Sequence, residues 1–222
     1  MHIRTTRVKY FSFISAIAVQ IGEDILEVQG EDFPVINGKA FTLNVDDGAE
    51  FPFPMSIGGY PLTLQQRGPH SRRFIIHLGD GERILINNFK EFVDVAIEGP
   101  RAAEFAGSVG ILGSYQAGTN LARDGKTVIE DADEFGQEWQ VRDTDPQLFH
   151  TLDGPQYPAK CNMPKKLTAA QRHLRAMTKK VSEDDAKKAC ATASPSKMQN
   201  CIADVFGSDN LDMAGIYVNQ AF

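Results

Sequence analysis

Apolar and polar residues alternate with period two through most of the N-terminal half of the chain, and turn residues break the alternation at short intervals. Phe74, Ile76 and Leu78 alternate with Ile75 and His77, Gly79-Asp80-Gly81-Glu82 turns the chain, and Ile84 and Ile86 lead back. Val93, Val95 and Ile97 form a further strand, ended by Gly99-Pro100. Val35-Ile36 meets Asn37-Gly38, the pair that best suits a tight hairpin turn, and Phe41, Leu43 and Val45 continue with period two. Ile57-Gly58-Gly59-Tyr60 turns into Leu62-Thr63-Leu64. Phe51-Pro52-Phe53-Pro54 is excluded from a central strand, because its prolines have no N–H for the ladder. Strands this short, spaced by Gly, Pro, Asn and Asp turns, predict a mainly β fold built as an antiparallel β-sandwich-like domain.

The first residues carry two patterns at once. Residues 1–10 are basic and Phe11 to Val19 is apolar, the outline of a signal peptide. The same run fits a strand buried on both faces, with Ile14, Ala16 and Ala18 on one side and Ile17, Val19 and Ile21 on the other. The strand reading is favoured, because Gly22-Glu23-Asp24 then turns the chain into a partner strand.

The period changes in the second half. Ala132 to Glu138 is an acidic helix that delivers Phe135 and Trp139 to one face. Residues 143–164 hold four prolines and little periodicity, and read as a linker. Helical spacing follows. Thr168 to Gln171 has the form of a capping box, with Leu167, Leu174 and Met177 on one stripe. Ser182 starts a second helix carrying Ala186, Ala189 and Cys190. Ser194-Pro195 starts a third, with Met198, Cys201, Ile202 and Val205 inside and Gly207 at its end. The expected organisation is a β domain over 1–142, a linker over 143–164 and a small helical subdomain over 165–222.

Composition narrows the function classes. The chain has 222 residues, enough for one large domain with an appendage, and a formal charge of −6. That charge argues against a phosphate-binding surface, and no basic-aromatic groove for nucleic acid is written in the sequence. The apolar run at the N-terminus is too short to span a membrane. All three cysteines lie in the last third. Cys190 near a helix end and Cys201 inside the next helix can meet across a helical hairpin, where a disulfide would contribute roughly 2–4 kcal/mol. The alternative is a pair of buried free thiols. Cys161 is left over, either free or bonded outside this chain.

The order of motifs from Gly110 onward is more specific than their composition. Gly110-Ile111-Leu112-Gly113-Ser114-Tyr115-Gln116-Ala117 leads to a polar loop closed by Asp124-Gly125-Lys126, and then to Phe135-Gly136-Gln137-Glu138-Trp139. This order resembles the von Willebrand factor type D domain, with its Gly-Leu-(Cys or Leu)-Gly-Asn-Phe-Asn-Gly turn, acidic loop, Asp-Gly-Thr and Phe-Gly-x-x-Trp. The resemblance runs from Phe11 to Val141 and lacks the family's opening strands, so an N-terminally truncated domain is expected. The tail is similar to a reduced, cysteine-poor form of the helical module that often follows type D domains, matched at Ala189-Cys190 and at Cys201 to Val205.

The resemblance implies a calcium site near the Asn-Phe-Asn turn. Here the two asparagines correspond to Ser114 and Gln116, the following loop has no acid, and Arg123 would oppose a cation. Calcium takes six or more oxygen ligands, and only Asn120 and Asp124 remain as candidates. The expectation is no cofactor, with Asn120 and Asp124 as an eroded calcium site. No catalytic constellation is written in the sequence: the five histidines lack metal-ligand spacing, and no nucleophile elbow, phosphate loop or dinucleotide fingerprint occurs. The resemblance implies a non-enzymatic extracellular structural or adhesion module of a larger matrix or cell-surface protein. Its partners would be other protein modules or matrix glycans. The alternative is a hydrolase with a carboxylate site in a sandwich cleft, which would need titratable groups converging in a pocket.

Overall fold

The computed structural model describes residues 1–8, 11–30, 34–41, 55–68, 70–99, 107–111, 119–150, 168, 170 and 177–218. It contains two five-stranded antiparallel sheets and a few short helices. Sheet A runs in chain order through β1 (His2–Val8), β2 (Phe11–Ile21), β3 (Asp24–Gln29), β4 (Val35–Ile36) and β5 (Lys39–Ala40). Sheet B is a second meander of β6 (Met55–Ile57), β7 (Tyr60–Gly68), β8 (Ser71–Gly79), β9 (Glu82–Phe89) and β10 (Phe92–Glu98). The first strand was not expected. Residues 2–8 are polar and basic, yet they pair along β2 as an edge strand, which needs only one face against the core.

The inner faces pack as the alternation predicts. Ile17, Val19, Leu26, Val28 and Ile36 of sheet A meet Ile57, Leu62, Phe74, Ile76, Ile86 and Val93 of sheet B in one buried cluster. A shift in the β1–β2 register between Arg4 and Thr5 leaves Ser15 as an extra residue in β2. Such a bulge re-aims the side chains beyond it. Ile14 consequently joins the inner cluster, while Phe13 turns to a second core. The hairpin turn at Asn37 and Gly38 has φ of 52° and 76°, the left-handed pair that Asn-Gly adopts at low strain.

Polar staples join the sheets. Asp24 accepts from the Asn37 side chain at 2.9 Å and, across to sheet B, from the Gly58 N–H at 2.8 Å. Those bonds hold its carboxyl below the usual carboxylate range. Elsewhere along the sandwich the buried Asn88 donates to the Gly30 carbonyl.

Among the described residues, the helix-spaced half holds short α-helices and one 3-10 turn. The acidic segment forms α1 (Ala132–Glu138). The tail forms α2 (Glu183–Ala189), α3 (Met198–Ser208), a 3-10 turn at Leu211–Met213, and α4 (Ala214–Val218). Ser182 caps α2 in a reciprocal box with Asp185. Regular helix in α3 starts at Met198, later than Ser194-Pro195 suggests, because Lys197 N–H bonds the Ser194 carbonyl and closes a tighter turn first. It passes Gly207 and ends where Asp209 takes φ of 59°. Most of the helix expected around Leu167 to Met177, and the whole Phe51 to Pro54 segment, lie outside the described residues.

The tail helices share a core with both sheets. Phe13 of β2 and Phe92 of β10 pack with Val181, Ala186, Cys190, Cys201, Val205, Met213, Ala214 and Ile216. Among the described residues, no helix is long and apolar enough to cross a membrane.

Candidate functional site

Residues 119–145, which carry the later of the family-like motifs, fold as a small clasp. Leu121 and Val128 form an isolated antiparallel bridge. Ile129 N–H bonds the Asn120 carbonyl at 2.8 Å, and Ala122 N–H bonds the Thr127 carbonyl at 2.8 Å. Asp124 sits in the turn between them. One of its oxygens accepts from Lys126 N–H and Thr127 N–H at 2.8 and 2.9 Å, and the other from the Thr127 hydroxyl at 2.7 Å. These bonds, the Thr127 side chain foremost, lower its pKa to about 2. Gly125 follows with φ of 69°, whereas Gly110 keeps an ordinary φ and the left-handed position falls at Gly107.

Arg123 is the hub of this clasp. Its Nε donates to the Glu138 carbonyl and one terminal nitrogen to the Gln140 carbonyl, both at 2.9 Å. The same nitrogen reaches Asp145 at 3.2 Å. Its guanidinium lies 5.2 Å from the centroid of the Trp139 indole, within cation–π range. Trp139 in turn donates its indole N–H to the Leu121 carbonyl at 2.9 Å, and Phe135 is buried. A planar fork with five donors can tie several carbonyls and a carboxylate at once, and lysine cannot. The sequence showed Arg123 as a charge opposing a cation. Its structural role depends on carbonyls that converge only in the folded loop.

From Asp145 the chain crosses the outer face of sheet A. Leu148 is buried against Ala18 and Ile25, and Arg4 lies over the Phe149 ring. The described part of this strap reaches Glu27. This carboxylate is 3% exposed and accepts from the His150 backbone N–H at 3.1 Å, with the imidazole Nδ1 at 3.3 Å. An acid inside the apolar run of β3 was the signal for such a cover, since a buried carboxylate must be hydrogen-bonded. The strap also explains why β2 is buried on both faces.

The candidate calcium ligands Asn120 and Asp124 share this loop, but the described residues do not fit a calcium shell. Both Asp124 oxygens are bound within its own turn, and Arg123 is beside it in sequence. Among the described residues, no group of three or more His, Cys, Asp or Glu is placed to hold a metal ion. Ser114 and Gln116 lie outside the described residues, as does Cys161. Cys190 and Cys201 are joined in a disulfide, with Cα atoms 5.9 Å apart and both residues fully buried. A small cleft beside α4, with room for about one water, is lined by Arg67, Ser71, Asn87, Asn88, Phe89, Gly215 and Ile216, with no carboxylate among these described residues.

No protein-family model matches the chain, and no curated protein matches it.

Proposed function

We propose that this chain is a non-enzymatic structural or adhesion module of the extracellular space, built into a larger matrix or cell-surface protein and acting through protein–protein or glycan contacts. The Cys190–Cys201 disulfide carries the reading, since such bonds persist in oxidising compartments and are rare in reducing ones. The clasp supports it: Arg123, Asp124, Glu138 and Trp139 spend their polar atoms on holding the loop in shape. A rigid, internally satisfied loop suits a recognition or assembly surface better than a reaction centre. The resemblance of residues 110–139 to the type D pattern supports the same class, and in that reading the helical tail is the reduced companion module.

The test is secretion and binding. Protein exported through an oxidising pathway is digested without reduction and analysed by mass spectrometry, and is then offered to immobilised matrix glycoproteins and glycosaminoglycans. A Cys190–Cys201 peptide with saturable binding is expected. Three free thiols in protein from its native source would overturn the extracellular assignment. Hydrolysis of an ester or glycoside that is lost on replacing one carboxylate would overturn the non-enzymatic one.

A further inference from the structure

Three turns meet at one end of the sandwich. They are Gly22-Glu23 between β2 and β3, Asn37-Gly38 between β4 and β5, and Gly58-Gly59 between β6 and β7. The first and third belong to different sheets and touch: a Cβ placed on Gly58 would stand 2.5 Å from the Ile21 carbonyl oxygen. Asp24 ties the three together. It opens β3, its Oδ1 accepts from the Asn37 side-chain amide at 2.9 Å, and its Oδ2 accepts from the Gly58 N–H at 2.8 Å.

The Asn37 side chain is pinned at both of its polar atoms. Its Oδ1 accepts from the Ile25 N–H at 2.8 Å, while its Nδ2 donates to Asp24. Its backbone N–H bonds the Ile25 carbonyl at 3.0 Å. Asn37 and Gly38 are nonetheless exposed, so water reaches both. An asparagine followed by glycine carries a reaction of its own, because no side chain shields the glycine nitrogen from the asparagine Cγ. That nitrogen attacks Cγ, a new C–N bond closes a five-membered imide, and the Cγ–Nδ2 bond breaks. The departing nitrogen takes up the proton that the Gly38 nitrogen gives up, and leaves as ammonia. Water then opens the imide at either carbonyl, giving aspartate or its β-linked isomer.

We propose that Asn37 is a latent modification site: its pinned amide is held back from closing on Gly38, and if it deamidates when the knot opens, the product cannot retie the knot. An aspartate at 37 has no donor for Asp24 and sets a second carboxylate against it. The β-linked isomer adds a methylene to the main chain inside a two-residue turn, between the paired Ile36 and Lys39. Either product frees Asp24 from Asn37 and weakens the Asp24–Gly58 link between the sheets. The change is one-way, so it records how long this end of the molecule has stood open.

Peptide mapping of the full, oxidised chain held at neutral pH tests this, reading the amide-to-acid mass gain at residue 37 over time. Conversion in the folded chain is expected to be severalfold slower than in the same chain unfolded in guanidinium. Asp24→Ala should speed it severalfold, because the local opening it causes exposes the amide. Gly215→Ala, which loosens the tail and not this end, should leave the rate at the wild-type value. Equal rates in folded and unfolded chain, no acceleration in Asp24→Ala, or the same acceleration in both variants would overturn the proposal. Asn37→Asp, which stands for the product, should raise hydrogen exchange at the Gly58 amide severalfold with residues 74–76 of β8 unchanged. Unaltered protection at Gly58 would show that the knot survives deamidation and would overturn the proposal as well. Should Asp24→Ala fail to fold, the folded–unfolded comparison and the Asn37→Asp exchange decide.

Discussion

A Cβ placed on Gly215 would stand 2.3 Å from the ring of Phe89. Three ring atoms lie within 2.5 Å of that point, so the ring flank as a whole would have to move. Alanine is favoured over glycine inside a helix by about 1 kcal/mol, whereas overpacking a filled core costs about 1–3 kcal/mol. The clash outweighs the propensity gain, and Gly215→Ala is expected to lower the unfolding free energy measured in urea. Gly136 in α1 has nothing within 4 Å of its Cβ position. There the propensity acts alone, and Gly136→Ala should stabilise by about 0.5–1 kcal/mol.

Arg123→Lys should not behave as a conservative change. Lysine keeps the charge and loses the fork that serves the Glu138 and Gln140 carbonyls and Asp145 together. Hydrogen bonds to a charged group are worth about 1.5–3 kcal/mol, and a loss of that order is expected in urea unfolding. Trp139 is the chain's one tryptophan and stacks on Arg123. Its emission should therefore shift to the red in the variant. An unshifted spectrum with unchanged stability would remove Arg123 from its place as hub.

The disulfide joins residues 11 apart in sequence and lies wholly inside the tail core. Replacing both cysteines by alanine is expected to cost about 2–4 kcal/mol. The loss should appear in exchange of α2 and α3 amides before any change in β8 and β9, because the crosslink closes the tail alone. Equal weakening of sheet B would show that the tail and the sandwich unfold as one unit.

The hairpins of sheet B were legible because each turn carries its own chemistry, as at Gly79 to Gly81, and because one inner face per strand leaves a period-two trace. Acids ahead of Ala132 and the capping pair Ser182 and Asp185 made α1 and α2 legible for the same local reason. What stayed hidden was non-local. An edge strand such as β1 needs only Ile3 turned to the core, so HIRTTRV shows no alternation of apolar residues. Glu27 betrays a cover but not the identity of His150, which comes from 123 residues away. Arg123 shows its charge in sequence, while the two carbonyls that receive it are set by where α1 ends.

Asp124 supplies the last test, which concerns metal and pH together. Its carboxylate is solvent-exposed and held by three donors inside its own turn. A calcium ion would have to displace those donors and find most of its oxygens elsewhere. Millimolar calcium is therefore expected to leave the melting temperature unchanged, whereas a site filled to a hundredfold excess over its dissociation constant would add about 2.7 kcal/mol. Acid should act where calcium does not. The folded pKa lies near 2, below the ordinary 3.8, so the support this carboxylate gives the turn is present above the ordinary value and lost as pH falls through the lower one. Side-chain carboxyl NMR of Asp124 should give a midpoint near 2 in the wild-type chain. In Thr127→Val, which removes one of the three donors, the midpoint should move toward the ordinary value. A calcium-dependent rise in melting temperature that Asp124→Asn abolishes would show that the turn opens to bind the ion.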